Sequence, residues 1–299
     1  MTCASLASRE TDGTTTTRQL GGNMKAVSLR GFLCSTLSLA WLACAGAAEP
    51  SAPTSSEHTI GLAKLIVGDL NKTQAFYDTM FGMKEVGHYS ADGVYDEPIM
   101  GFATGDARLA LFKPLAEAPV QKPQAPQVLI YTPDFETLVA KLEAAKHPLR
   151  RLSPLESGPF KIAIVRDPSG NAVEIFAREG RPMEIGGSKL IVDSREKAEQ
   201  FFTQVFGVKP IQRFRTSTYD EVLLGFGDGP WLALFEPKDE PPLPKSRYPL
   251  VAIYTSEFDA VLARVKEAGY GYREVASTGR RIIVAKDPAG NGVEIIERR

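Results

Sequence analysis

The chain repeats itself. Lys64-Leu65-Ile66-Val67 returns as Lys189-Leu190-Ile191-Val192, and Phe81-Gly82-Met83-Lys84 as Phe206-Gly207-Val208-Lys209. Tyr95-Asp96-Glu97 returns as Tyr219-Asp220-Glu221, LALFKP at 109–114 as LALFEP at 232–237, and Tyr131-Thr132 as Tyr254-Thr255. DPSGNAVEI at 167–175 returns as DPAGNGVEI at 287–295. The offset drifts only from 125 to 120, so few insertions separate the copies and both are expected to fold alike.

Each copy carries one pattern twice. An apolar strand at 62–67 leads into a helix at 71–81, where Ala75, Phe76, Met80 and Phe81 recur at helical spacing. Asp69 marks its start and Gly82 its stop. Strands are expected near 84–89, 95–102 and 108–113, then a Pro-rich linker at 114–126. A strand at 127–132, a helix at 134–146 and strands near 151–154, 161–166 and 172–177 follow, with DPSGN turning between the last two. Each copy is therefore βαβββ twice, and the chain is four such modules of α+β class, in domains at 58–180 and 184–299.

A leader precedes them. Cys3, Cys34 and Cys44 all lie before residue 45, and every Pro comes after residue 49. In residues 24–48, Lys25 and Arg30 are followed by an apolar run at 31–45 and then by small residues. That order predicts a secretory signal peptide cut after Ala47 or Ala48. Residues 1–23 read as a disordered extension or a mis-called start ahead of Met24. The expected destination is the periplasm or the extracellular space. Lipid attachment at Cys44 is a second route, poorly matched by Trp41-Leu42-Ala43. A formal net charge of −1 gives no basic surface for nucleic acid. Past the leader no segment is expected to span a membrane.

The stretch KLIVGDLNKTQAFYDTMFGMK, together with VRDPSGNAVEIF and the four-module layout, resembles the vicinal oxygen chelate superfamily of glyoxalases, bleomycin-resistance proteins and extradiol dioxygenases. The resemblance implies paired modules whose sheets curl around a cleft for a metal or a ligand. It also implies a tandem two-domain chain that supplies internally the pairing other members reach by dimerising, so a monomer is expected.

The family's metal positions fall, by that resemblance, on Leu62 and Gly187, on Ala110 and Ala233, on Gln127 and Leu250, and on Glu174 and Glu294. Only the last carboxylate stands in both copies, with Gln127 the sole other donor. A useful divalent site needs three or four protein ligands. The expected state is therefore metal-free, with Gln127, Glu174 and Glu294 the weak metal candidates. His58 is expected to be flexible ahead of the first strand. His88 is a cleft candidate whose counterpart, Arg213, cannot bind metal.

Alternation along a strand puts Lys64 and Lys189 on the face of positions 62 and 187. Their ammonium groups are expected to stand beside Glu294 or Glu174 in place of the cation, since a lone buried carboxylate is costly. An exposed edge lysine, and a Glu kept only for the turn and strand, are the competing readings. Tyr95 and Tyr219, with Glu97 and Glu221, are further cleft candidates or else hairpin residues. Lys161 and Arg281 meet an anionic ligand or only solvent, and Phe112 and Phe235 are expected in the core, although the resemblance implies clefts in which such rings stack on aromatic ligands.

No P-loop, dinucleotide fingerprint, H-E-x-x-H or G-x-S-x-G element is present. The expected function is binding of a small organic molecule without the usual metal. The alternatives are a lyase- or dioxygenase-type enzyme with a divergent site using Glu and Lys, and a structural module whose clefts are filled by Leu62, Ile66 and Phe112.

Overall fold

The structure, a computed structural model, describes residues 57–116, 122–123, 125–154, 160–227, 229–238, 246, 248–277 and 279–298. All lie in one unit of the chain, Pro50–Arg299. The expected extension at 1–23 and signal peptide at 24–48 lie outside the described residues, as does part of the linker at 114–126.

Four modules of one design follow each other. The first runs β1 (His58–Ile66), α1 (Leu70–Phe81), β2 (Lys84–Ala91), β3 (Tyr95–Gly101) and β4 (Arg108–Pro114). The second runs β5 (Val128–Thr132), α2 (Phe135–Ala144), β6 (Leu149–Arg151), β7 (Ile162–Arg166) and β8 (Ala172–Ala177). The third has β9 (Glu184–Ile191), α3 (Arg195–Phe206), β10 (Lys209–Arg215), β11 (Tyr219–Gly225) and β12 (Trp231–Pro237). The fourth has β13 (Pro249–Thr255), α4 (Phe258–Glu267), β14 (Tyr272–Glu274), β15 (Ile282–Lys286) and β16 (Gly292–Glu297).

The repeated sequence signals make repeated helix ends. The Asp69 carboxylate accepts from the Lys72 N–H at the start of α1, and Ser194 does the same for Lys197 at α3. Gly82 and Gly207 close those helices at φ 74° and 68°, a left-handed conformation that a side chain would oppose. Two strands differ from expectation. β1 starts four residues early because His58–Ile60 pair with Thr255–Ile253, partners too distant for a local pattern to reveal. β6 lies at 149–151, not 151–154, because pairing ends where the Leu152 N–H meets the Ile162 carbonyl and Pro154 has no N–H to continue it. Among the described residues no helix is long and apolar enough to cross a membrane.

The modules assemble into two eight-stranded sheets. Sheet A has the order β14-β15-β16-β13-β1-β4-β3-β2, and sheet B the order β10-β11-β12-β9-β5-β8-β7-β6. Each is sealed at its centre by an antiparallel junction, β1 with β13 in A and β5 with β9 in B. Sheet A thus joins the first module to the fourth, and sheet B the second to the third.

The cores run the other way. Leu65, Leu109 and Leu111 of the first module share one buried cluster with Val139, Leu142, Val173 and Ile175 of the second. Leu190, Phe201 and Phe202 share another with Ile253, Val261 and Ile295. Each module is bound to one neighbour through a sheet and to another under its helix. Ile60 of the first copy enters the second copy's core, and the repeat-equivalent Ile185 enters the first's.

Candidate functional site

Ala63 and Leu65 of β1, with Val67 just beyond it, face the helices, which turns Leu62, Lys64 and Ile66 to the opposite face of sheet A. There the Lys64 Nζ lies 2.8 Å from Glu294 Oε2 and 2.8 Å from Glu97 Oε1. In sheet B the Lys189 Nζ lies 2.7 Å from Glu221 Oε1 and 3.5 Å from Glu174 Oε2. Both lysines are buried. Burial alone would lower their pKa, but the two carboxylates outweigh it and hold each ammonium above its ordinary range. Burial pushes Glu97 upward.

Aromatic pairs flank both triads. Tyr95 stacks on Phe112 at 5.0 Å and Tyr219 on Phe235 at 4.9 Å. Lys64 stands 5.8 Å from the Phe112 ring centre and Lys189 5.2 Å from that of Phe235. The structure therefore brings Lys64, Glu97, Glu294 and Tyr95 together in one cleft, and Lys189, Glu174, Glu221 and Tyr219 in the other. Gln127 is buried just before β5, where its carbonyl accepts from the Lys189 N–H.

These donors do not fit the divalent metal implied by the sequence resemblance. In sheet A the first two positions are the hydrocarbon side chains of Leu62 and Ala110, which belong to a small apolar cluster with Ile99, Ala252 and Ile296. Leu250 sits at the β13 bulge and packs against the helix-side core. The remaining carboxylate, Glu294, already faces an ammonium. In sheet B a Cβ at Gly187 would come within 2.5 Å of the Trp231 ring, so that ring fills the first position. Gln127 and Glu174 are short of a coordination shell.

The outer ends of the two clefts differ. In sheet B the Trp231 Nε1–H donates to the Tyr131 hydroxyl at 3.0 Å, and Tyr131 and Phe160 both contact Phe176. That end is closed by aromatic rings. In sheet A the register places Arg108 where Trp231 stands, and the repeat places Arg280 at the counterpart of Phe160. A cavity of about 770 Å³ opens here, lined by Leu62, Val86, Ile99 and Tyr254 on the sheet A side. It reaches across the seam to Tyr131, Gly186 and Trp231.

Close packing keeps Tyr254 at this opening. A Cβ at Gly61 would lie 2.1 Å from its ring. Gly61→Ala is expected to displace the ring and to cost about 1–3 kcal/mol by overpacking, measured by urea unfolding. An unchanged midpoint would show that the ring yields freely.

Several expectations need correction. His88 does not face the cleft. Its imidazole bonds Glu85 and Asp96, and Glu85 also takes the Gln74 amide of α1, so the group lies on the helix side. Its counterpart Arg213 likewise reaches Glu199 on α3. His58 is not flexible: it is buried in β1, bonded to Thr255 Oγ1 at 2.8 Å and edge-on to Phe206. Lys161 pairs with Glu136 of α2, and Arg281 with Asp259 of α4 and Glu297. The DPxGN element holds the modules together. The Asn171 amide donates to the Ile66 carbonyl, and that of Asn291 to the Ile191 carbonyl. Each closing turn is thereby tied to the central strand of the partner module in the same copy.

Sequence reasoning missed Arg108, Arg280, Tyr254 and Trp231. For Arg108, Arg280 and Trp231 the signal lay where the copies disagree, whereas Tyr254 stands in a pair the copies share, Tyr131-Thr132 and Tyr254-Thr255.

Comparison with known proteins places this geometry. The family model described as Glyoxalase/Bleomycin resistance protein/Dioxygenase superfamily matches residues 58–175 and again 185–295. Among solved structures, glyoxalase I from Zea mays is similar at TM-score 0.66 and 22% identity, covering 80% of this chain and 92% of that one. A putative dioxygenase from Bacillus subtilis is similar at TM-score 0.63 and 15% identity, covering 81% and 86%. At these identities the likeness is one of fold. No curated protein matches the chain.

Proposed function

The chain belongs to the Glyoxalase/Bleomycin resistance protein/Dioxygenase superfamily, and from that premise we propose that it is an exported protein that binds a small organic molecule in the sheet A cleft without a resident metal. The observation that carries this reading is the cavity of about 770 Å³ beyond Leu62, Ile99 and Tyr254. Its size suits an organic ligand, and its wall mixes apolar surface with a few polar groups. Behind it the triad of Lys64, Glu97 and Glu294 occupies the place of a cation. The ammonium neutralises the carboxylate that would otherwise recruit one. Only one cleft is used, because Trp231 and Tyr131 close the other. The same reading makes the exported chain a monomer that binds neither nucleic acid nor membrane.

The test is metal analysis of the purified protein together with a thermal-shift screen of small organic molecules. No stoichiometric divalent ion, a melting temperature unchanged by chelator, and saturable stabilisation by at least one compound are expected. A tightly held ion whose removal lowers the melting temperature would overturn the metal-free reading. A screen in which nothing stabilises the protein would overturn the binding one.

A further inference from the structure

The cavity is unusual in its charge. Five arginines line it, Arg108, Arg178, Arg181, Arg280 and Arg298, against the carboxylates of Asp106 and Glu184. Arg178 already engages Glu184 at 2.8 Å. Arg108 spends its guanidinium on the neutral carbonyls of Gly105 and Ala107. Arg280 lies over the Tyr254 ring, 5.8 Å from its centre. Among the described residues neither Arg108 nor Arg280 has a carboxylate partner.

The repeat separates these arginines into two sets. Arg178 and Arg298 are equivalent, and their backbone N–H groups make the same bond, to the Thr132 and Thr255 carbonyls. They belong to both copies. Arg108 and Arg280 do not: the other copy has Trp231 and Phe160 in those places. The common scaffold therefore accepts uncharged rings at both positions. Two guanidinium groups stand at the open cleft in positions where the other copy has rings. A guanidinium presents a planar fork of donors that matches an oxyanion in two-point contact and stacks on rings. Tyr254 and Tyr131 line the same opening, with Arg280 over the first ring and Arg178 over the second.

We propose that this cavity is an anion site. Its ligand is a small organic molecule with two or more oxyanion groups, carboxylate or phosphate. Arg108 and Arg280 grip those groups. This rests on the reading of the sheet A cleft as a ligand site and names the chemistry of the ligand.

The experiment is calorimetric titration of the full chain with benzene di- and tricarboxylates, with aryl phosphates, and with the corresponding neutral amides, at low and high salt. The anions should bind and the amides should not, with affinity falling as salt rises. Arg280→Ala, at an exposed position, should weaken anion binding by about tenfold, as should Arg108→Lys, which keeps charge but loses the fork. Arg213→Ala, on the helix face, should leave it unchanged. The carboxylate and phosphate arms identify which oxyanion is preferred. If the amides bind as well as the anions, and the arginine variants make no difference, the anion site is overturned while the ligand cleft stands. If anions bind but both arginine variants leave affinity intact, the site lies elsewhere and the proposal is overturned. If no compound of either class binds, the anion site is overturned, and the ligand cleft stands or falls separately by the thermal-shift screen.

Discussion

Lys64→Met should destabilise the folded chain by about 3–5 kcal/mol at neutral pH, the usual result of removing one partner from a buried ion cluster. The parent side chain is 4% exposed and holds Glu97 and Glu294 at 2.8 Å each. Methionine fills similar volume, so the loss is electrostatic: two carboxylates remain buried on one another without a cation. Glu97, whose pKa burial already raises, must then bind a proton more readily when folded than when unfolded. A folded pKa above the unfolded value makes stability rise as pH falls through the folded pKa towards the unfolded one, near 4.5 for glutamate. The variant should therefore recover part of its deficit between pH 7.5 and pH 5. The parent should recover less over that range, because its lysine stays charged throughout. Removing all three charges, with Glu97→Gln and Glu294→Gln added, should restore most of the loss. Urea unfolding at the two pH values measures each quantity. A deficit below about 1 kcal/mol that ignores pH would mean that water reaches the triad and that Lys64 is a solvated surface charge.

The repeat made the modules legible because hydrophobic periodicity and turn chemistry are local. Phe76 and Phe81 with Gly82 specify a helix and its end, and the structure has α1 there. The lysine–glutamate pairs were legible for a different reason. Alternation along β1 follows from strand geometry, and a buried carboxylate demands a counter-charge wherever its module lies. The partner modules themselves were not legible. Nothing near Ile60 says that it will pair with Ile253 and insert into the second copy's core. His88 shows the same limit on a smaller scale: the bulge between Glu85 and Gly87 sets which face it takes, and a bulge leaves no periodic trace. The cavity was hidden because its residues come from both copies and meet only once the sheets cross the repeat boundary.

That crossing has a second large consequence. A chain divided between Arg178 and Glu184 should give two pieces that combine one to one and that do not stay monomeric alone. Each piece keeps a core of its own, since the buried clusters under the helices follow the copies, apart from the exchanged Ile60 and Ile185. Neither piece keeps a sheet. The cut parts β1 from β13 and β5 from β9, the central junctions of both. What remains on the first piece is two half-sheets whose newly exposed edges, the nine-residue β1 and the five-residue β5, are largely apolar with their N–H and C=O groups unpaired. Such an edge pairs with any matching strand available. Strands β13 and β9 on the second piece restore both junctions at once, which an identical copy cannot do with the same side chains. The mixed complex is therefore favoured over either self-association. Native mass spectrometry of the separately purified pieces, before and after mixing, should show self-associated species giving way to a single one-to-one complex. Stable monomers of the first piece that ignore the second would mean that the helix-side cores alone define the folding units, and that the sheet junctions contribute little to holding the four modules together.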